Sequence, residues 1–220
     1  MEKTLNNYIE HTLLKPTATE EDIKNLVNDA IKYNFFGVCV NPNYVSLAKK
    51  LSEGSDVKIV TVVNFPLANN INNVVLFQTE HALIDGADEI DTVINLAELK
   101  NKNYEKVVFD IKRTKKICKE HNLKVILETD LITKEEIVTA SKCAVEGGAN
   151  FVKTSTGFVK NGVGAKVEDV KLMYDTVSPY GLGVKASGGI KTYQSAINLI
   201  DAGALRLGTS SGIEIVRERS

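Results

Sequence analysis

Short apolar runs alternate along the chain with longer stretches of helical spacing. The runs Ile9–Thr12, Phe36–Val40, Lys58–Val63, Glu89–Ile94, Lys124–Glu128, Phe151–Thr154, Gly183–Ala186 and Arg206–Gly208 predict strands. Several are rich in Val and Ile, as strands buried on both faces are. Between them, Ile23, Leu26, Val27, Ala30 and Ile31 repeat at i, i+3, i+4, i+7 and i+8, the stripe of an amphipathic helix. Thr17–Glu20 and Thr133–Glu136 read as capping boxes that start helices. Eight strands, each followed by a helical segment, predict an α/β chain folded as a single (β/α)8 TIM barrel over residues 1–220. A doubly wound open sheet is the alternative. The strand count favours closure, as does the lack of a G-x-G-x-x-G after the first strand.

A short repeat aligns the strands. Gly86-Ala87, Gly148-Ala149 and Gly203-Ala204 each end a helix and open a strand, where a glycine suits the left-handed position past a helix. Five residues beyond each glycine stand Asp91, Lys153 and Gly208, expected at one depth and in one orientation. Alternation then sends Asp91, Val93 and Asn95 to one face, Ile126 and Glu128 to the corresponding face of the next strand, and Lys185 to the face of Gly183 and Ser187. Val152 and Val184 turn to the helices. Apolar residues thus serve the helix layer, while ionisable ones point inward near strand C-termini, the end where barrel active sites form.

Composition narrows the function. Of 220 residues, 43% are hydrophobic and 25% charged, with a formal charge of −1. This balance predicts no nucleic-acid or membrane partner. No apolar run approaches the roughly 20 residues of a spanning helix, and the first residues lack a signal-peptide core. Cys39, Cys118 and Cys143 are far apart, which fits a reducing cytoplasm rather than a disulfide framework. Cys39 reads as a buried structural thiol. His11, His81 and His121 are scattered and no metal-ligand spacing occurs, so no metal is expected.

The chemistry concentrates in Asn150–Gly157, NFVKTSTG, where Lys153 interrupts an apolar strand. An ammonium there must be solvated, paired or neutral, and a neutral amine is a nucleophile. Lys185 on the adjacent strand would face the same way, and like charges that close repel, so one amine sheds its proton more readily. Lys153 is expected to attack a carbonyl and form a Schiff base, with Asp91 relaying protons. Taken singly, Asp91 has a plain structural reading as an ion-pair partner, Glu128 as a residue that orients a neighbour, and Lys185 as a snorkelling lysine. Together they do not, because burying ionic groups merely for stability gains little.

Two further stretches follow strands seven and eight: Lys185–Ile190, KASGGI, and Leu207–Gly212, LGTSSG. Small residues let backbone N–H groups approach an anion, hydroxyls add donors, and barrels often seat phosphate there. Besides a Schiff-base aldolase, the pattern leaves open a sugar-phosphate isomerase and a non-catalytic phosphate-ligand binder. Only the aldolase needs both lysines.

Several segments then carry a resemblance: HTLLKP at 11–16, VCVNPNYV at 38–45, EIDTVIN at 89–95, VILET at 125–129, FVKTSTGF at 151–158, VKASGGI at 184–190 and RLGTSSG at 206–212. In these the chain resembles the deoxyribose-phosphate aldolase family of class I aldolases. The resemblance implies cleavage of a small phosphorylated sugar, 2-deoxy-D-ribose 5-phosphate, to acetaldehyde and D-glyceraldehyde 3-phosphate, in deoxynucleoside breakdown. It implies Lys153 as the Schiff-base lysine, Lys185 as the perturbing lysine and Asp91 as the relay acid. Gly157, Gly188, Gly189, Gly208, Ser210 and Ser211 match phosphate-binding positions. The family uses no metal or other cofactor and forms homo-oligomers, here a dimer or tetramer. Glu10 stands where the family commonly has Asp, a change expected to leave the lysines untouched. The C-terminal residues Arg217–Ser220 lack the tyrosine that some members use there.

Overall fold

The computed structural model describes residues 4–218. Its strands are β1 (Ile9–Leu13), β2 (Gly37–Val40), β3 (Lys58–Val63), β4 (Glu89–Val93), β5 (Asn122–Ile126), β6 (Phe151–Lys153), β7 (Gly183–Ser187) and β8 (Ala204–Thr209). All pair in parallel with their sequence neighbours, and β8 pairs back onto β1, closing the barrel. That closing ladder sets the open sheet aside, since no edge strand is left. The helices are α1 (Glu20–Lys32), α2 (Val45–Leu51), α3 (Asn72–Ile84), α4 (Leu96–Lys100), α5 (Tyr104–Cys118), α6 (Lys134–Glu146), α7 (Val167–Val177), α8 (Tyr193–Asp201) and α9 (Gly212–Arg217).

Two hydrophobic regions follow from strand alternation. Outward-facing strand residues such as Ile90, Val125, Val152 and Val184 pack with inward helix residues such as Ile23, Ile111, Ala140 and Met173. Inside the barrel, two small clusters form instead: Leu14, Cys39, Val60 and Val62, and Ala68, Val93 and Ile126, with Phe65 packed against both.

The three repeat glycines have φ of 105°, 77° and 108°. After α3, Gly86 N–H donates to Leu83 O at 3.1 Å and Ala87 N–H to Ala82 O at 3.0 Å, and Gly148 and Ala149 repeat the pair after α6, which is the Schellman closure of a helix end. The Thr133 box forms as expected, with Thr133 N–H donating to Glu136 Oε2 at 2.8 Å. The first box does not form where expected. Thr19 caps α1, its N–H donating to Asp22 Oδ2 at 2.8 Å, because a second T-x-x-acid frame lies two residues beyond Thr17. Ile31, at the end of the stripe, is 37% exposed.

Candidate active site

Strand register assembles the site from the barrel wall. Asp91 lies beside Lys124, Ile126 beside Lys153, and Lys153 beside Lys185. Asp91, Lys124 and Lys185 are fully buried, and Lys153 is 3% exposed. The carboxylate of Asp91 gathers all three cations. Its Oδ1 accepts from Lys124 Nζ at 2.9 Å, and its Oδ2 accepts from both Lys153 Nζ at 2.9 Å and Lys185 Nζ at 2.7 Å. The two lysine nitrogens therefore share one oxygen, which keeps them within the sum of those distances. They do not face each other bare: an anion stands between them, so their repulsion is offset rather than left to act alone.

Electrostatics separates the members of this cluster. Burial pushes the Asp91 carboxyl up, but Lys124, Lys153 and Lys185 outweigh it and hold the group well below the usual carboxylate range. Burial pushes the Lys185 ammonium down, but Asp91 and Glu10 win and raise it above the ordinary lysine value. Lys124 behaves likewise, with burial opposed by Asp91, Glu10 and Glu89.

Two members went unread in the sequence. Lys124 Nζ makes an ion pair with Glu89 Oε2 at 2.5 Å beside its hydrogen bond to Asp91, and lies 3.5 Å from Glu10 Oε1. Carrying the alternation one step back from Ile126 and from Asp91 would have found Lys124 and Glu89. Glu10 corrects an expectation outright. Its Oε2 accepts directly from Lys185 Nζ, so the change at this position reaches the lysines. Glu128 corrects another. The strand ends at Ile126, and Glu128 adopts φ +59° beyond it. Its Oε1 accepts from Thr156 N–H at 3.1 Å and its Oε2 from the Thr156 hydroxyl, so it anchors the chain after β6, as its plain structural reading has it. Burial raises its carboxyl, against those bonds from Thr156. Asn95 likewise leaves the strand, its Oδ1 accepting from Glu98 N–H at 3.2 Å at the start of α4.

Above Lys153 opens a cavity of about 310 Å³. Gly157, Gly188, Gly189, Gly208, Ser210 and Ser211 all line it, together with Lys153. Asp91 and Lys185 do not line it and lie beneath. Two exposed cations, Lys15 and Lys191, also border the opening and were not singled out in the sequence. The loops are tied to one another. Thr209 Oγ1 donates to Ile190 O at 2.7 Å and accepts from Ser211 N–H at 2.9 Å. Space is tight at Gly208 and leaves no room for a side chain at Gly189. A Cβ on Gly208 would sit 3.1 Å from both Lys185 Cε and Ser187 Cβ, and one on Gly189 would meet Val163 O at 2.4 Å. Gly208 thus lines the cavity and leaves room for the Lys185 stem. Tail residues 219–220 lie outside the described residues. Among the described residues, no group of three or more His, Cys, Asp or Glu could hold a metal ion.

A buried lysine at the floor of a cavity, beside a second lysine and a shared carboxylate, can form an imine with a carbonyl. The comparisons show what family the chain falls in. Residues 8–218 match the model of the DeoC/LacD family aldolase. A deoxyribose-phosphate aldolase from Mycoplasma capricolum subsp. capricolum is 51% identical over 216 residues, covering 98% of this chain and 96% of that one. One from Thermococcus kodakarensis is 50% identical over 218 residues, 97% of this chain and 96% of the relative. The solved deoxyribose phosphate aldolase from Aeropyrum pernix, described as a unique tetramer, superposes with a TM-score of 0.90 at 34% identity, over 98% of this chain and 90% of that one. The chain belongs to the DeoC/LacD family of aldolases.

Proposed function

We propose that Lys153 forms the Schiff base through which this chain acts as a deoxyribose-phosphate aldolase, a carbon–carbon lyase acting on 2-deoxy-D-ribose 5-phosphate. The observation that carries the assignment is that, of the three lysines gathered on Asp91, only Lys153 lines the cavity. Lys185 is held cationic by two carboxylates and covered from the cavity. Lys153 has one carboxylate, shared with Lys185.

The free amine of Lys153 adds to C1 of the open-chain sugar, and loss of water leaves an iminium. The C2–C3 bond then breaks. Its electron pair moves onto the iminium nitrogen as an enamine, while the C3 hydroxyl gives up its proton and becomes the aldehyde of D-glyceraldehyde 3-phosphate. Protonation of the enamine at C2 and addition of water release acetaldehyde and the amine. Asp91, whose Oδ2 reaches Lys153 and Lys185 alike, relays the protons through Lys153 at the cavity floor, with Lys185 behind it. Gly157, Gly188, Gly189, Gly208, Ser210 and Ser211 seat the phosphate, and Lys15 and Lys191 add positive charge at the rim.

Borohydride reduction in the presence of substrate tests the assignment. A reduced adduct on Lys153, found by peptide mass mapping, is expected. An active preparation with Lys153 unmodified refutes it.

Assembly is the second element of the proposal. Helix α3 is apolar on both sides, with Val75 and Ala82 buried and Val74, Phe77 and Ile84 exposed. Exposed apolar side chains grouped on one helix mark an interaction surface, and the Aeropyrum pernix relative is described as a tetramer. We place a homo-oligomer contact, dimeric or tetrameric, on this face. Light scattering after size exclusion is expected to give a multiple of the 24.1 kDa chain mass, and Phe77→Glu to lower it. A monomer at micromolar concentration would remove this contact. No helix among the described residues is long and apolar enough to cross a membrane. The three cysteines are free and buried, in keeping with a cytoplasmic setting.

A further inference from the structure

The turn after β5 carries two carboxylates, and both reach the loop that joins β6 to α7. Glu128 holds the start of that loop through Thr156. Asp130 holds its end: Oδ2 accepts from Gly164 N–H at 2.8 Å, and Oδ1 lies 3.5 Å from Lys166 Nζ. Burial does little for the loop between these ties. Gly157, Phe158 and residues 160–163 are exposed, and a cavity of about 80 Å³ is bordered by Glu128 and Asp130 on one side and by the loop on the other.

The end that Asp130 holds rests on the turn after β7. Ala165 N–H donates to Gly188 O at 3.1 Å. A Cβ on Gly164 would stand 2.4 Å from Gly188 C and O, and one on Gly189 would stand 2.4 Å from Val163 O. The two backbones therefore touch with no side chain between them. Gly188 and Gly189 line the cavity above Lys153, and Asp130 does not.

From this run of contacts we propose that Asp130 is a positioning residue for the phosphate seat: it holds residues 163–165 against Gly188 and Gly189, and so sets where their backbone meets the phosphate. The inference rests on the phosphate seat placed above. Gly164 is buried, so without the carboxylate its N–H loses its acceptor at a cost in free energy. The segment shifts to recover one, and Gly188 and Gly189 shift with it. Misplacing a binding group by about 1 Å costs about 10²-fold. Ala165 keeps its bond to Gly188, so the expected loss is smaller, roughly tenfold.

The test separates phosphate binding from the imine chemistry. Asp130→Ala is expected to raise KM for 2-deoxyribose 5-phosphate, and Ki for inorganic phosphate as a competitor, by roughly tenfold each, with kcat nearly unchanged. Borohydride trapping of acetaldehyde on Lys153, which involves no phosphate, is expected to proceed as in the unmodified protein. Asp130→Asn keeps an acceptor for Gly164 N–H and is expected to restore most of the affinity. Gly164→Ala presses a methyl group on Gly188 with Asp130 in place, is expected to raise both constants, and decides the matter should Asp130→Ala fail to fold. Unchanged KM and Ki in the variants overturn the positioning role. So does a fall in kcat and trapping alongside affinity, which general loosening of the barrel would give, and so does an Asp130→Asn protein as impaired as Asp130→Ala. Failure of inorganic phosphate to compete on the unmodified protein overturns the phosphate seat itself.

Discussion

The inside of the barrel has two halves built on the same alternation. From β4 round through β8 to β1, the inward positions carry Glu89, Asp91, Lys124, Lys153, Lys185 and Glu10, three acidic side chains against three lysines, with only Val93 and Ile126 apolar beside them. Near β2 and β3 they carry Cys39, Val60 and Val62, joined by Leu14. Both halves are dry, yet they are held by different physics. The apolar half gains from burial in proportion to its area. The ionic half gives up hydration of six charges and recovers it only because each is paired, an exchange that seldom improves on a hydrophobic core of the same volume. A fold needs only the first kind of filling. The second kind marks where the chain has kept chemistry.

The sharpest way to break this contrast is to remove the reactive member of the ionic half. Lys153→Ala is expected to lower kcat/KM by about 10⁶-fold, the scale for loss of a covalent nucleophile, with the barrel's circular dichroism unchanged. Lys185→Leu is expected to cost nearly as much, read by the same coupled assay of aldehyde release. Full activity in either variant would mean that the ionic half is only structural.

Next in size is a stability comparison. Lys124 takes no part in the cavity but pairs with Glu89 and Asp91. Lys124→Met removes one charge from a balanced set and leaves carboxylates buried and underpaired. It is expected to destabilise by about 3–5 kcal/mol, against about 2 kcal/mol for Val60→Ala in the other half. Urea titrations of both variants decide. A Lys124→Met protein as stable as Val60→Ala would show that water reaches the ionic half.

The two halves also differ in their response to acid. Asp91 and Glu89 are held below their ordinary values, Asp91 by three lysines and Glu89 chiefly by Lys124, in each case against the opposite push of burial. Depressed carboxylates lend stability that is complete above the ordinary carboxylate range and is lost as pH falls through their folded values. Lys185 is raised, so its share is complete below the ordinary lysine range and is lost only as alkali passes its folded value. Midpoints in urea measured from pH 7 down to pH 3 are expected to fall at the acid end, and to fall less steeply in Glu89→Gln. A parallel decline in both proteins would assign acid unfolding to surface groups.

How much of this was legible in the sequence follows the same divide. All eight strands were readable because each is a short run whose neighbours punctuate it, and three glycines fixed their relative depth. Lys153, Lys185 and Asp91 were readable because a charge inside an apolar run is conspicuous. Lys124 was not, since a lysine at the head of a strand resembles any exposed strand end, and only pairing β5 with β4 puts it on Asp91. The helix start at Thr19 was missed because two threonines two residues apart offer competing frames, and the chain's entry into α1 chooses between them. Glu128 was misplaced because alternation was carried past the point where the backbone leaves the strand.

Glu10 is the hardest residue to read and gives the finest test. Its contact with Lys185 joins positions 175 apart and exists only because β8 closes onto β1, with Glu10 beside Gly208 and Gly208 beside Ser187. Glu10→Asp shortens the side chain by one methylene and withdraws the carboxylate from Lys185 while leaving the charge total intact. Lys185 keeps Asp91, so only part of its support is lost. A fall in kcat/KM of roughly threefold is expected, about 0.7 kcal/mol of transition-state stabilisation, with thermal stability almost unchanged. Glu10→Gln removes the charge itself and is expected to cost more in both measurements. If the two substitutions are equal, reach and not charge is what Glu10 contributes. If neither matters, β1 belongs with the apolar half, and the ionic half narrows to the strands from β4 to β7.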